Sequence, residues 1–359
     1  MKFVIRAGGV GTRLWPFSRI NRPKQFHPMV GDRSMLQVAV DRIRQIAGPD
    51  DLHVSTGSGF VSLVKEQLPE LGDDRIIVEP ALRNTGPAVG LECILLGTRY
   101  PGCTIASLGS DHHIGRPEEF CRLLQVAESV LKAHPEFLFT IGVKPTRPET
   151  GYGYIEKGEV VSTVNGEPVY KVEAFQEKPD AGVAKSYVDS GNHLWNSNMF
   201  VWKAQTMLDI IEDLVPEIHG RLMRIRDSVG SLEERSAIEQ EYPQMPEVAI
   251  DNAVIEKAEN VAALEADIGW SDIGSWTALH DVLQTDEDGN LFSGEVLGIQ
   301  TRDVTAYGPD GKLIALVDVE DLVIVDTPDA LLVCPRGSAQ RVREVVEALR
   351  GSKKQGLYI

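Results

Sequence analysis

The first 31 residues of this sequence combine clustered glycines with positive charge. They hold six basic side chains and no acidic one, whereas the whole chain of 359 residues carries a formal net charge of −17. A short β-branched run ends in the glycines, and polar and basic residues follow them: Gly8, Gly9, Gly11, Thr12, Arg13 and Lys24. Glycine lets a backbone approach a ligand closely, and amides beside arginine and lysine bind phosphate oxygens. The segment therefore predicts a phosphate-binding loop.

Two widespread phosphate-binding motifs are absent from this segment. The run GGVGTR lacks the last glycine of GxGxxG, and the sequence has no GxxxxGK[ST]. The alternative interpretation, an ordinary turn with solvated basic residues, is disfavoured by the local excess of positive charge. An acidic chain also lacks the broad basic surface with which proteins coat nucleic acid. We therefore expect a small anionic ligand and no nucleic-acid partner.

The elements that would position this loop alternate along the first 145 residues. Strand-like runs and amphipathic helical stretches follow one another, the strands within 3–5, 52–55, 75–78, 103–108 and 137–141, the helices within 34–46, 60–68, 86–98 and 118–133. This alternation predicts an α/β fold with a mostly parallel, Rossmann-like sheet. Ligands of such sheets bind beyond the carboxyl ends of the strands, where the glycines following the first strand would lie.

The pattern changes after residue 145. Residues 150–175 alternate and predict an antiparallel excursion, and a helical block is expected from there to about Lys257. Short β-branched runs between 294 and 334 then predict a small β domain closed by a helix over 339–349. We predict two domains, residues 1–285 and residues 291–359.

Cysteine usage and hydropathy indicate the compartment. The four cysteines form no CxxC pair, which favours thiols in a reducing environment. No run of the sequence approaches the roughly 18 apolar residues of a membrane span. We expect a cytoplasmic protein without a membrane partner.

Motifs along most of the chain resemble one enzyme family. The run AGGVGTRL followed by Pro23-Lys24 resembles the signature of the sugar-nucleotide pyrophosphorylases, and WPFSR with PKQF resembles the mannose-1-phosphate guanylyltransferase branch. Further matches follow in the family's order up to residue 276: RNTxPA, DH, RPETGYGYI, FxEKP, WNS and WSDxGxW. The resemblance implies a nucleotidyltransferase domain followed by a small left-handed β-helical domain.

The resemblance also implies an activity in nucleotide-sugar metabolism. An enzyme of this branch transfers GMP from GTP to α-D-mannose 1-phosphate and yields GDP-mannose and pyrophosphate, with Mg²⁺ as cofactor; a homodimer is the expected assembly. A sugar 1-phosphate brings its own ionised nucleophile, so the protein must supply positioning and charge neutralisation rather than a Ser, Cys or His base. Two alternatives stay open: the same chemistry on another sugar 1-phosphate or nucleotide, and a non-catalytic homologue that binds a nucleotide sugar.

Residue chemistry and the resemblance together suggest roles for single residues. Arg13 and Lys24 are the expected catalytic residues, and by resemblance Asp111 and Asp272 bind the metal, although either aspartate alone is typical of a cap or turn. The expected nucleotide and phosphate contacts are Gly8, Gly9, Gly11, Thr12, Glu79, Asn84 and Thr85. The expected sugar contacts are Gly151, Glu177, Lys178 and Asn196; without the resemblance, Glu177-Lys178-Pro179 would be interpreted as a solvated turn.

Two residues depart from the family pattern. Arg6 stands where an aliphatic residue usually precedes Ala-Gly-Gly, and Asn198 stands in place of the glycine of Trp-Asn-Ser-Gly. Asparagine tolerates left-handed backbone angles better than other non-glycine residues, so the turn at Asn198 is expected to persist. Arg6 is either an extra phosphate contact or a strained substitution. Sugar specificity is the property that these two positions leave open.

Overall fold

The apolar run after Lys2 is buried at the centre of strand β1, Lys2–Arg6, in the computed structural model of the chain. The structure describes residues 1–9, 11–352 and 358–359. Contacts divide these residues into two compact units. The larger unit comprises residues 1–8, 39–110 and 114–270, and the smaller unit comprises residues 9–38, 111–113 and 271–359.

A nine-stranded sheet organises the larger unit. The strands up to residue 271 are β1, β2 Leu52–Gly57, β3 Ile76–Glu79, β4 Thr104–Gly109, β5 His113–Ile114, β6 Leu138–Val143, β7 Tyr154–Val164, β8 Glu167–Gln176, β9 His193–Lys203, β10 Val261–Ala266 and β11 Trp270–Ser271. The sheet order is β3-β2-β1-β4-β9-β6-β10-β8-β7. Only β8 and β9 run against the other seven strands, so the predicted mostly parallel sheet is confirmed.

Helices of this part of the chain bury apolar residues against the sheet and against one another. They are α1 Met35–Arg44, α2 Val61–Gln67, α3 Thr85–Arg99, α4 Pro117–Ala133, α5 Ala181–Ser190, α6 Ala204–Leu214, α7 Pro216–Arg226 and α8 Glu234–Glu241. Residues 86–96 of α3 are all buried. A Cβ atom at Gly90 of α3 would lie 2.7 Å from Leu222 Cδ1 of α7. Glycine at this position therefore allows close packing of α3 against α7.

The predicted helical block between residues 175 and 257 is wrong in part, because it contains β9. This strand lies at the centre of the sheet between β4 and β6, and nearly all of its residues are buried. A strand covered on both faces has a continuous apolar run instead of a period of two, and such a run cannot be distinguished from a buried helix by periodicity. The antiparallel excursion is confirmed by the pairing of β7 with β8.

The smaller unit contains stacked parallel coils. Its elements are α9 Trp276–Val282, β12 Leu291–Ser293, β13 Val296–Ile299, β14 Thr305–Tyr307, β15 Ile314–Val317, β16 Leu322–Asp326, β17 Leu331–Pro335 and α10 Val342–Leu349. Strands β12, β14 and β16 pair in parallel, as do β13 and β15, whereas β17 is antiparallel to β16. The β-helix predicted at this end of the chain is confirmed, with α10 as its closing helix.

The core of the smaller unit joins the β-helix strands to the segment after the glycine-rich loop. Trp276 is fully buried, its ring centroid lies 5.3 Å from that of Tyr307, and its indole nitrogen donates to the carbonyl of Trp15 at 3.3 Å. Leu14 and Val323 belong to the same apolar cluster. Residues from both ends of the chain thus share one core.

The cysteines and the hydropathy of the helices are two further features of the structure. All four cysteines lie in the described part of the chain and are free thiols. Across the described residues, no helix has the length and apolar character that crossing a membrane requires.

Replacing Trp276 with alanine should destabilise the smaller unit. Truncation of a fully buried tryptophan leaves a cavity and costs about 3–5 kcal/mol. The free energy of unfolding, measured by urea titration with circular dichroism, should fall accordingly for Trp276→Ala. Leu313→Ala is the control, because Leu313 is 59% exposed and its truncation should change stability by less than about 0.5 kcal/mol. Equal stabilities of the two variants would contradict this account of the core.

Candidate active site

The glycine-rich loop of the smaller unit needs glycine for conformation and for space. Gly11 has a φ of +64° and precedes a short 3₁₀ turn, Thr12–Leu14. A Cβ atom there would lie 3.0 Å from both Lys24 Cγ and Ser18 Oγ. The amide nitrogen of buried Gln25 donates to the carbonyl of Gly9 at 2.9 Å, which anchors the start of the loop. The loop is therefore held closely over the segment that carries Lys24.

Lys24 connects the two predicted metal ligands. Its buried ammonium lies 3.0 Å from Asp111 Oδ2 and donates to the backbone carbonyls of Asp272 at 2.8 Å and Ile273 at 3.3 Å. These three oxygen atoms match the three donors of an ammonium group. The structure thus brings Lys24, Asp111 and Asp272 together from segments far apart in the sequence.

Asp111 is held in its ionised form. Burial opposes ionisation of the carboxyl, but the charges of Lys24 and His112 more than offset it, and the pKa of Asp111 falls to about 2. A Cβ atom at Gly9 would lie 4.0 Å from Asp111 Oδ2. Because the residue beside the carboxylate is a glycine, a ligand can approach this oxygen past the backbone.

The turn after Asp272 is tight and strained. Asp272 Oδ1 accepts from the backbone nitrogen of Gly274 at 2.9 Å, and a Cβ atom at Gly274 would lie 2.5 Å from Asp272 Oδ2. Ile273 has a φ of +41°, which is rare for a β-branched residue. This backbone path directs the carbonyls of both Asp272 and Ile273 to Lys24.

Arg13 is available for an anion. It follows the Gly11 turn and is half-buried. In residues 1–9, 11–352 and 358–359, no side chain forms an ion pair with its guanidinium group. Its donors are therefore not committed to a protein carboxylate, which suits a bidentate contact with phosphate.

In the larger unit, Glu79 lies at the end of β3 and is fixed by two hydroxyl groups. Ser55 donates to its Oε1 atom at 3.1 Å and Tyr242 donates to its Oε2 atom at 2.8 Å. A Cβ atom at Gly8 would lie 4.0 Å from Glu79 Oε1. Burial raises the pKa of Glu79, and the two hydroxyls and Arg6 oppose the rise. Tyr242 was not identified from the sequence, because nothing in its local pattern separates it from the acidic run before it.

Asn84 and Thr85 have partners within the protein. Asn84, with a φ of +65°, precedes α3, and its Oδ1 atom accepts from the backbone nitrogen of Thr85 at 2.8 Å. Thr85 Oγ1 accepts from the backbone nitrogen of Ile250 at 2.9 Å. Thr85 thereby fixes the segment that leads into Asp251.

The predicted sugar contacts Glu177 and Asn196 are neighbours. A Cβ atom at Gly153 would lie 2.6 Å from Glu177 Oε2 and 3.4 Å from Asn196 Cβ. The backbone nitrogen of Asn196 also donates to the carbonyl of Gly153 at 2.8 Å. The close approach of these elements therefore requires glycine at position 153, whereas Gly151 is the glycine predicted from the sequence. A Cβ atom at Gly151 would meet Glu149 Oε1 at 3.2 Å.

Lys178 is exposed and has a φ of +47°. Its ammonium pairs with the carboxylate of Glu177. Both side chains lie at the surface of the larger unit, so their mutual interaction is screened by water. The structure therefore leaves both groups accessible to a ligand.

Asp251 is a carboxylate beside Asn196 that was not predicted as a site residue from the sequence. It begins a single π-helical turn, Asp251–Ile255, and its Oδ1 atom accepts from Asn196 Nδ2 at 2.8 Å. Burial raises the pKa of Asp251, and the contacts with Asn196 and Arg6 lower it. A π-turn is frequent at functional sites, but its sequence, Ile-Asp-Asn-Ala, is indistinguishable from an ordinary helix start.

The two departures from the family pattern contact each other. Arg6 Nη2 donates to the backbone carbonyl of Asn198 at 2.8 Å, and Arg6 Nη1 donates to Ser107 Oγ at 3.1 Å. Asn198 has a φ of +54°, so the predicted left-handed turn is present. Arg6 therefore has partners within the protein that the sequence analysis did not foresee.

The predicted site residues fall into two groups with different chemistry. The smaller unit holds the cation-rich group: Gly9, Gly11, Thr12, Arg13, Lys24, Asp111 and Asp272. The larger unit holds the group of carboxylates and amides: Gly8, Glu79, Asn84, Thr85, Gly151, Glu177, Lys178 and Asn196. Cationic donors and backbone amides suit phosphate oxygens, whereas carboxylates and amides suit the N–H and O–H donors of a base or sugar.

Comparisons with known proteins agree with this chemistry. The profile of the nucleotidyl transferase family matches residues 2–289, and that of the MannoseP isomerase/GMP-like beta-helix domain matches residues 294–349. A mannose-1-phosphate guanylyltransferase 2 of Escherichia coli O157:H7 is 35% identical over 355 residues, which cover 97% of this chain and 73% of that protein. The xanthan biosynthesis protein XanB of Xanthomonas campestris pv. campestris is 37% identical over 357 residues, with the same coverage of 97% and 73%.

A solved structure from Thermus thermophilus, described as a mannose-1-phosphate geranyltransferase, has a TM-score of 0.86 and 29% identity. It covers 98% of this chain, and this chain covers 99% of it. Fold, motif order and sequence identity thus agree over nearly the whole length. The chain belongs to the nucleotidyl transferase family and, within it, to the mannose-1-phosphate guanylyltransferases.

Proposed function

We propose that this protein transfers GMP from GTP to α-D-mannose 1-phosphate, yielding GDP-mannose and pyrophosphate. The observation that carries the proposal is the ammonium of Lys24, shared between Asp111 and the turn at Asp272 beside the glycine-rich loop. That arrangement combines positive charge, backbone amides and carboxylate side chains, as transfer between two anions requires. The relatives named as mannose-1-phosphate guanylyltransferases supply the choice of substrates.

Charge neutralisation is the proposed task of the smaller unit. The amides of Gly9, Gly11 and Thr12 and the side chains of Arg13 and Lys24 bind the triphosphate and stabilise the pyrophosphate as it leaves. The uncommitted guanidinium of Arg13 supports this role. The donors of Lys24 are directed at Asp111 and two backbone carbonyls; a phosphate oxygen replaces one of those carbonyls, so the charge of Lys24 lies beside the leaving group. The attacking oxygen of the sugar phosphate is already ionised, so no protein base is needed.

Mg²⁺ is the proposed cofactor, held by Asp111 and Asp272. Magnesium prefers one or two carboxylates together with phosphate oxygens and water, and these two aspartates provide hard oxygen ligands. The pKa of Asp111, about 2, supports the assignment because the carboxylate needs no deprotonation before it binds a cation. When bound, the ion would neutralise charge on the phosphates.

Base and sugar recognition are the proposed tasks of the larger unit. Glu79 accepts from the N1 and N2 donors of guanine, with Asn84 and Thr85 nearby; the second lone pairs of its oxygens are available for this. Glu177 and Asn196 bind sugar hydroxyls, Gly151 lets the backbone approach, and Lys178 pairs with the sugar phosphate. The exposure of Glu177 and Lys178 supports their access to a ligand.

The proposal also covers the division of the chain into domains, its assembly and its location. We propose a nucleotidyltransferase domain over residues 1–285 and a β-helical domain over residues 291–359, supported by family profiles that match residues 2–289 and 294–349. A homodimer and a cytoplasmic location stay predictions from the sequence.

Pyrophosphate release tests the function directly. The purified protein with Mg²⁺ is assayed with GTP, ATP, UTP and dTTP against mannose, glucose, fucose and heptose 1-phosphates. We expect turnover to be highest for GTP with mannose 1-phosphate. Preference for another pair would keep the chemistry and change the substrate. No turnover with any pair, while GDP-mannose still binds, would favour a non-catalytic homologue.

Asp111→Asn should abolish turnover without unfolding the protein. The substitution keeps the shape of the side chain but removes the negative charge that would bind the cation, and we expect a loss of at least about 100-fold in kcat. Activity and thermal midpoint are measured together. Asp310→Asn, at an exposed position of the same unit, is the matched control and should retain full activity. Near-normal turnover of Asp111→Asn would refute its assignment as a metal ligand.

Lys24→Met should impair both turnover and stability. Methionine fills a similar volume but leaves the Asp111 carboxylate and two carbonyl oxygens without their donor, which costs about 1–3 kcal/mol per unsatisfied group. We expect kcat to fall by about 100-fold or more, because the positive charge of Lys24 that stabilises the leaving pyrophosphate is lost. Single-turnover kinetics and urea titration measure the two effects. A variant that loses stability but keeps kcat would make Lys24 purely structural.

A further inference from the structure

Asn198 occupies an unusual position in the sugar region of the larger unit. It lies within β9, a strand that is otherwise nearly all buried, yet Asn198 itself is exposed. Its φ of +54° places it in the left-handed region, which asparagine adopts more readily than other non-glycine residues do. Packing alone does not explain an exposed polar residue in the middle of a buried central strand.

Hydrogen bonds from Asn198 lead directly to the candidate sugar contacts. Its backbone nitrogen donates to Asn196 Oδ1 at 3.2 Å. When the carboxamide nitrogen of Asn198 faces the carboxylate of Asp251, it lies 2.9 and 3.2 Å from the two carboxylate oxygens. An amide nitrogen, rather than an amide oxygen, is the group that a carboxylate accepts from. Asp251 is therefore bound by the amides of both Asn196 and Asn198.

Buried Asn196 is committed to its neighbours at both ends of its amide. Its oxygen accepts from Asn198 and its nitrogen donates to Asp251. Asn196 is 5% exposed, whereas Asn198 and Glu177 are exposed. Asn198 is thus the more exposed of the two amides.

Arg6, which is half-buried, binds the backbone of Asn198. One guanidinium nitrogen donates to the carbonyl of Asn198 at 2.8 Å, and another donates to Ser107 Oγ at 3.1 Å. Ser107 in turn donates to Glu92 Oε2 at 2.6 Å, and Glu92 is fully buried. Arg6 therefore connects Asn198 to the buried pair of Ser107 and Glu92, and this connection uses two separate donors of the guanidinium group.

We propose that Asn198 is a sugar-specificity residue and that Arg6 is the positioning residue that presents it, together with Asp251, to the hydroxyl groups of the hexose 1-phosphate. The inference rests on the proposed function. The composition of the cluster is its chemical basis. The carboxylates of Glu177 and Asp251 accept hydrogen bonds from sugar hydroxyl groups, and the exposed amide of Asn198 can both donate to them and accept from them. The same carboxylates disfavour an anionic group at this point, so the sugar ring rather than its phosphate is the matching ligand.

The first test is Asn198→Gly, compared with Asn165→Gly as control. Asn165, in the turn between β7 and β8, is exposed and has the same φ of +54°. Glycine suits this backbone in both places, so neither variant should have a lower thermal midpoint than the wild type. We expect Asn198→Gly to raise KM for mannose 1-phosphate by about three- to tenfold, the effect of one or two lost hydrogen bonds. KM for GTP should stay within about twofold, and the ratio of kcat/KM for mannose over glucose 1-phosphate should change.

Arg6→Lys tests whether Arg6 acts through Asn198. Lysine keeps the positive charge but cannot reproduce the two forked contacts. We expect its effect on KM for mannose 1-phosphate to resemble that of Asn198→Gly. In the Asn198→Gly background, Arg6→Lys should cause little further change in KM, because both substitutions disrupt one element. Fully additive effects would overturn the positioning role.

Two results would overturn the proposal as a whole. One is an unchanged KM for mannose 1-phosphate in Asn198→Gly; the other is a lower thermal midpoint with all kinetic constants preserved, which a purely structural role predicts. If the wild type turns over none of the hexose 1-phosphates, the proposed function has failed, and calorimetric binding of GDP-mannose decides separately: equal affinity in wild type and Asn198→Gly refutes the specificity role.

Discussion

One shared ammonium group underlies the candidate chemistry of the smaller unit. Lys24 is buried, and a buried charge persists only when partners compensate the lost hydration. The Asp111 carboxylate and the carbonyls of Asp272 and Ile273 provide that compensation. Because these groups come from three distant segments, the ion pair and its hydrogen bonds also define how the segments meet. The core around Trp276 holds the first and last of these segments in one apolar cluster.

In the larger unit, the buried charged groups are carboxylates and not an ammonium group. Three carboxylates, on Glu79, Glu92 and Asp251, are partly or fully withdrawn from water, and burial raises the pKa of each. Arg6 is a cation that favours the ionised form of all three, and hydroxyl or amide donors add to this effect, but the pKa of each carboxyl group stays raised because burial is the larger influence. An aliphatic residue at position 6 would raise the pKa of these three carboxyl groups further, because the favourable charge of Arg6 would be absent. The charge at this position is therefore part of the environment of both the base and the sugar contacts.

Much of this arrangement could be predicted from the sequence, and there are physical reasons why the remaining features could not. The loop before Arg13 and the strand–helix alternation were predictable, because glycine conformation and hydrophobic periodicity are local properties. Strand β9 was not, since burial on both faces removes the periodic signal. Asp251 and Gly153 were missed because their roles arise from neighbours distant in sequence: Asp251 from the amide of Asn196, and Gly153 from the closeness of Glu177.

The energetic cost of a positive φ is lower in the turns of the β-helical region than at Ile273 of the candidate site. Several non-glycine residues with positive φ lie in turns of the β-helical region and are Asp or Gln, such as Asp303 and Asp318; aspartate adopts these angles at low cost because its short side chain bonds locally. Ile273 has no such side chain, since it is β-branched, apolar and fully buried. Its conformation is compensated by tertiary contacts, above all the hydrogen bond from Lys24 to its carbonyl. Strain of about 1–3 kcal/mol is thus retained where it directs two carbonyls to one ammonium. A relaxed turn at this position would be easier to fold but would leave Lys24 without the partners that hold its charge beside Asp111.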